Sequence, residues 1–139
     1  DFARYAGYIF SPEARPTTEI KYHTDAAPGT RYVFVDGKLK PEANFYTVVR
    51  SVAAVEPSQA NYVDMHRHNC DTQHIAIGTG PELTGLKIEF RIRDDKMVVE
   101  SPVGVNIPAG TPHAQRIIEG TGHFFNFVPK SSYNDGLMS

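Results

Sequence analysis

The sequence has a single cysteine, Cys70, so no internal disulfide framework can hold the chain together, and this scarcity fits a reducing compartment. It has no excess of either charge: 14 Lys and Arg stand against 16 Asp and Glu, scattered along the chain. That leaves no basic stripe to follow a phosphate backbone or an anionic membrane. No apolar run approaches the roughly 20 residues that cross a bilayer, and the stretch DFARYAGYIF lacks the basic-then-apolar layout of a secretory signal. These absences predict no nucleic-acid partner, no membrane and a cytoplasmic location. A length of 139 residues predicts one domain with one core.

A helical period is missing as well. Residues 1–44 carry Pro12, Pro16, Pro28, Gly29, Gly37 and Pro41 around short apolar runs such as Tyr32 to Val35, and read as a loop-rich arm that wraps the rest, residues 45–139, or a partner subunit. From Phe45 the period is two. Phe45 to Val52, Asn61 to His68, Gln73 to Ile77, Leu86 to Arg93, Met97 to Glu100, Val103 to Ile107, Ala114 to Ile118 and Gly122 to Val128 read as strands. The cleanest is Leu86 to Arg93, with Leu86, Ile88, Phe90 and Ile92 on a core face and Lys87, Glu89, Arg91 and Arg93 on a solvated one. Asp94 to Lys96 reads as a hairpin turn. Short strands separated by turns predict an all-β antiparallel barrel or two-sheet architecture, which hides faces and edges together.

His66 and His68 lie two residues apart on one expected strand, and alternation points both imidazoles the same way, so they can chelate one ion. His113 follows the Pro108-Ala109-Gly110 turn, which aims it toward the same interior. Neutral imidazole suits iron, nickel, zinc and, less strongly, manganese, so one divalent transition metal is expected without a choice among Fe, Mn, Ni and Zn.

These two segments resemble the paired motifs of the cupin superfamily. His66, His68, Gln73 and Gly80 fall in register with the first motif, and Pro108, Gly110 and His113 with the second. Three positions depart from the pattern: Ala60 and Pro102 stand where glycines open the motifs, and Ile117 replaces a closing Asn. The resemblance covers roughly residues 45–128. It implies a cupin-type antiparallel β-barrel, or double-stranded β-helix (jelly roll), with the arm outside it. It also implies a homodimer and a metal site of His66, His68, Gln73 and His113. Gln73 stands in place of the usual Glu, which removes a negative charge and keeps a carbonyl oxygen. A more cationic centre is a stronger Lewis acid, and Gln-containing cupin sites are similar to those of some lyases and isomerases. A turn one residue shorter would bring Asp71 or His74 to the place of Gln73. Otherwise His74 faces outward, to the surface or a subunit contact.

Around this set, Tyr62 and Asp64 share the His66 face, and His123 shares one with Phe125 and Phe127. Tyr62, Asp64 and His123 are therefore the candidate proton carriers. Gln115, Arg50, Phe125 and Phe127 are the candidate substrate-binding residues. Tyr22 and His23 lie in the arm, able to close the pocket in cis or in trans. The expected function is metal-dependent isomerisation, elimination or cyclisation of a small oxygenated organic molecule. An Fe(II)- and dioxygen-dependent cupin oxygenase is the first alternative and a non-catalytic ligand-binding cupin the second.

Overall fold

Strand alternation holds most plainly in the segment where the sequence shows it best. In the computed structural model, which describes residues 3–24, 27–57, 62–130 and 134–138, Leu86, Ile88 and Phe90 of β5 (Leu86–Ile92) are 0–2% exposed. A tight turn at Arg93 and Asp94, with Arg93 at a φ of 54°, joins β5 to β6 (Asp95–Glu100). The charged face of β5 is less solvated than expected: Glu89 holds Arg116 through two hydrogen bonds of 3.1 Å, and Arg91 donates to the Val63 carbonyl.

The other strands are β1 (Glu13–Ala14), β2 (Thr30–Val35), β3 (Tyr46–Val55), β4 (Thr72–Gly78), β7 (Val103–Ile107) and β8 (His113–Val128). Every pairing is antiparallel. Among the described residues the helices are four three-residue 3-10 turns, and none is long and apolar enough to cross a membrane. One layer runs β1-β2-β3-β8-β4-β7, so residues 1–44 contribute two of its strands. The other is built from β6, β5 and the first half of β8. A core of Val52, Ala76, Leu86, Ile88, Phe90, Ile117 and Phe124 lies between them.

The expected strands Ala114 to Ile118 and Gly122 to Val128 are one continuous strand. Residues His113 to Gly120 of β8 pair with β5, and Gly120 to Val128 run between β3 and β4. Ile88 faces Ile117 and Lys87 faces Glu119, so Ile118 is an extra residue, a β-bulge. The bulge shifts the side-chain phase. Residues 113–117 are all buried, and Ile117 before the bulge and Phe124 after it reach the same core although seven residues apart, a spacing that puts side chains of a regular strand on opposite faces.

The expected strand Asn61 to His68 is not a regular one. Its first residue, and Ala60 before it, lie outside the described residues. The remainder makes isolated bridges, His23 to Val63, His66 to His113 and His68 to Leu137. Residues 22–24 of the arm are thereby fastened to 62–64, and His66 to the free edge of β8.

Candidate metal centre

His66 and His113 exchange backbone hydrogen bonds, N to O at 3.0 and 2.9 Å. The Gly110 amide donates to the His68 carbonyl at 2.8 Å, which brings the turn before β8 against the His66–His68 segment. Gly110 has a φ of +79°, which glycine adopts without Cβ strain. The tail closes the other side: Asn69 donates to Gly136 and Met138 to Arg67. The three rings converge, with centroids 4.7 to 5.5 Å apart. Each offers a nitrogen within 4.8 Å of the others, and all three side chains are buried.

Two rings are oriented by backbone. The His66 Nδ1–H donates to the Asp64 carbonyl at 2.7 Å and that of His113 to the Thr111 carbonyl at 2.9 Å, which leaves the lone pair on Nε2. Burial lowers the pKa of His66 to about 3 and of His68 to about 4, and lowers that of His113, so all three are neutral near pH 7. Nε2 of His113 is buried with no hydrogen-bond partner. A neutral, convergent, nitrogen-only set with an orphaned lone pair fits a divalent transition ion.

The structure reverses the expected sides of β4. Thr72, His74, Ala76 and Gly78 are buried and Gln73 is exposed, so Gln73 points away from the histidines. His74, expected outside, lies between Phe90 and Phe124 (ring centroids 5.7 Å to each) and 5.8 Å from the His113 ring. Asp71, the other alternative, is exposed and accepts the Ala109 amide at 2.9 Å, supporting the turn before His113.

Four other residues lie elsewhere than the sequence placed them. Asp64 is exposed, and what it gives the site is its carbonyl to His66. His123 and Phe127 are exposed and Phe125 is half-buried on the outer face, with Phe127 against Phe45 at 5.7 Å. The bulge at Ile118 is the reason, because it puts them out of phase with His113. Tyr62, by contrast, is buried, and its hydroxyl oxygen accepts the Ile117 amide at 2.6 Å.

Tyr62, Gln115 and Arg50 come together in a cavity inside the barrel, whose wall also includes His23, Arg31 and Asn126. Gln115 lies two residues beyond His113 on one strand face. His23, with its ring 5.5 Å from that of His66, belongs to both cavity and cluster. Its Nδ1–H donates to the Lys21 carbonyl at 2.6 Å, and burial lowers its pKa to about 4. Tyr22 stacks on His66, centroids 5.9 Å apart and planes within 5°. The arm therefore closes the site in cis. Sequence reasoning allowed Tyr22 and His23 to close the pocket without placing them, and held His74 only as an alternative to Gln73.

Among solved structures, the chain is similar to KdgF from Halomonas sp. (TM-score 0.52, 13% identity, 88% of this chain and 98% of that one). It is also similar to a single-residue variant of oxalate decarboxylase from B. subtilis (TM-score 0.53, 11% identity, 100% and 38%) and to Fe(II) HppE (TM-score 0.54, 11% identity, 84% and 55%). The chain has the cupin fold. No family model matches the sequence, and no curated protein does. At 11–13% identity these likenesses establish the cupin architecture alone. Within this cupin barrel the three-histidine cluster sits at the meeting point of the arm, the His66–His68 segment, the tail and the start of β8.

Proposed function

We propose that this cupin is a metal-dependent enzyme acting on a small oxygenated organic molecule, with isomerisation, elimination or cyclisation as the outcome. The observation that carries the reading is the neutral three-imidazole cluster beside a cavity walled by Tyr62, Gln115, His23 and two arginines. His66, His68 and His113 hold the ion. When bound it supplies a Lewis acid toward a carbonyl, hydroxyl or carboxylate oxygen. With Gln73 turned outward, the cluster found among the described residues is three neutral imidazoles, and the Lewis-acid argument stands on them.

The other residues position substrate and move its proton. Tyr62 keeps its proton, because burial raises its pKa, and its oxygen already accepts the Ile117 amide; it is a hydrogen-bond donor or acid. His23 presents Nε2 as its acceptor nitrogen, since Nδ1–H is directed at Lys21, and takes the part of base assigned earlier to Asp64 and His123. Gln115 binds a substrate oxygen. Residues 1–44 and 45–139 act as one structural domain, and the exposed Phe34, Phe45 and Phe127 support pairing as a homodimer, which sedimentation would check.

Elemental analysis of protein purified without chelator tests the central claim. About one equivalent of a divalent ion is expected in the wild type and little in His113→Ala. Protein that stays metal-free when offered iron, manganese, nickel and zinc defeats it. A second reading, ferrous iron with dioxygen, is favoured by the outward turn of Gln73, since three protein ligands leave room for both substrate and oxygen. It predicts oxygen uptake, and activity that survives in anaerobic buffer removes it.

A further inference from the structure

Arg31 and Arg50 are direct cross-strand neighbours on β2 and β3, and both line the cavity next to the histidines. Like charges facing each other across a strand pair are destabilising, and more so where water is scarce. Both guanidiniums are held in place by the fold. Arg31 donates to Glu19 at 2.6 Å and to the Tyr46 hydroxyl at 2.8 Å. Arg50 donates to the Pro28 carbonyl at 2.9 Å and to the Thr17 hydroxyl, bonds that help set the plane of its guanidinium.

The cavity also holds polar atoms that folding leaves unmatched. Nε of Arg31, Oε1 of Gln115 and Oδ1 of Asn126 are buried with no hydrogen-bond partner, and all three residues line the cavity. Gln115 is 8% exposed. Buried polar atoms are nearly always paired, so one orphaned donor and two orphaned acceptors around one space describe what is to fill it. The donor side is cationic and asks for an anion with oxygen acceptors. The acceptor side asks for hydroxyl hydrogens. The space is about 50 Å³; at roughly 10–15 Å³ for each water-sized group it takes on the order of four such groups, a carboxylate with one or two oxygenated carbons.

We propose that this cavity is a subsite for a short-chain hydroxycarboxylate, with Arg50 and Arg31 taking the carboxylate and Gln115 and Asn126 taking a hydroxyl. The substrate enters carboxylate-first and leaves its next oxygenated carbon facing His66 and His113. This assignment of the reacting end rests on the metal-enzyme reading; the subsite itself does not require a metal. Carboxylate is favoured over phosphate because two acceptor oxygens in so small a space oppose a second negative charge.

Isothermal titration with glycolate, glycolamide, acetate and inorganic phosphate, on protein stripped of metal by chelator at pH 7.5, tests the subsite without any contribution from metal coordination. Glycolate should bind at least tenfold tighter than glycolamide, about threefold tighter than acetate, and tighter than phosphate. Arg50→Gln should lower glycolate affinity at least tenfold without changing metal uptake, and Gln115→Leu should erase the difference between glycolate and acetate. Equal binding of glycolate and glycolamide, phosphate binding as tight as glycolate, or wild-type affinity in Arg50→Gln overturns the proposal. Should Arg50→Gln fail to fold, the four-ligand comparison on the wild type decides alone. Metal uptake without glycolate selectivity defeats the subsite and spares the metal reading. Selective glycolate binding in a protein that takes up no metal does the opposite.

Discussion

Chelator-treated protein should lose stability steeply as the pH falls from 6.5 toward 5. Burial holds His66 at about 3 and His68 at about 4, against an ordinary value of 6.5. Each ring stays neutral in the folded chain, whereas each takes up a proton in the unfolded chain below pH 6.5. The unfolded state then binds more protons, so these groups' contribution is fully present above pH 6.5 and drains away as the pH falls toward their folded values. The rings are only 5% and 3% exposed, so solvent screens little of this. At pH 5 the deficit is about 1.5 pH units for each ring, or about 2 kcal/mol each and about 4 kcal/mol for the pair. A domain of this kind has about 5–15 kcal/mol in total, so the loss is a large share. His74 and His113, lowered in the same direction, steepen the fall. Urea unfolding at pH 5, 6 and 7.5 in EDTA measures it, and His66→Gln should remove about 2 kcal/mol of the drop. A midpoint that does not move between pH 7.5 and 5, or a drop that survives intact in both His66→Gln and His68→Gln, refutes the reasoning.

Gln73→Ala should change stability by no more than about 0.5 kcal/mol and leave metal content unchanged by elemental analysis, because the side chain points to solvent; lost metal would return Gln73 to the centre. Tyr62→Phe strips the Ile117 amide of its acceptor and should cost about 1–3 kcal/mol in urea unfolding; an unmoved midpoint speaks against that bond. Deleting Ile118 removes the bulge and turns one half of β8 inside out, so no folded protein is expected. A native circular dichroism spectrum with intact metal uptake from that deletion would contradict the assigned register.

The strands and the three histidines were legible because their signals are local. Leu86 to Ile92 alternates without interruption, and His66, His68 and His113 flank turn residues that place them together. The errors came from phase. On β4 the motif register places Gln73 inward, yet the inner space is filled by Phe90 and Phe124, leaving room beside His74 only for the small Ala76 and Gly78. On β8 a single extra residue separates the phase of Gln115 from that of His123, and nothing in Arg116-Ile117-Ile118-Glu119 announces it. His23 could be named as able to close the pocket but not placed. It reaches the site through a bridge to Val63, 40 positions along the chain, and short-range periodicity is blind to such a pairing.

The arm has a further consequence. Thr17, Ile20, His23 and Arg31 all come from the first 44 residues and line the cavity, while the three-histidine cluster comes from the motif-bearing region. The wall of the cavity and the histidine cluster are thus built from different parts of the chain. Exchanging residues 1–44 between two such barrels would change the wall of the cavity while leaving the three histidines in place. Trimming the segment as a dispensable extension would open the cavity on its cationic side.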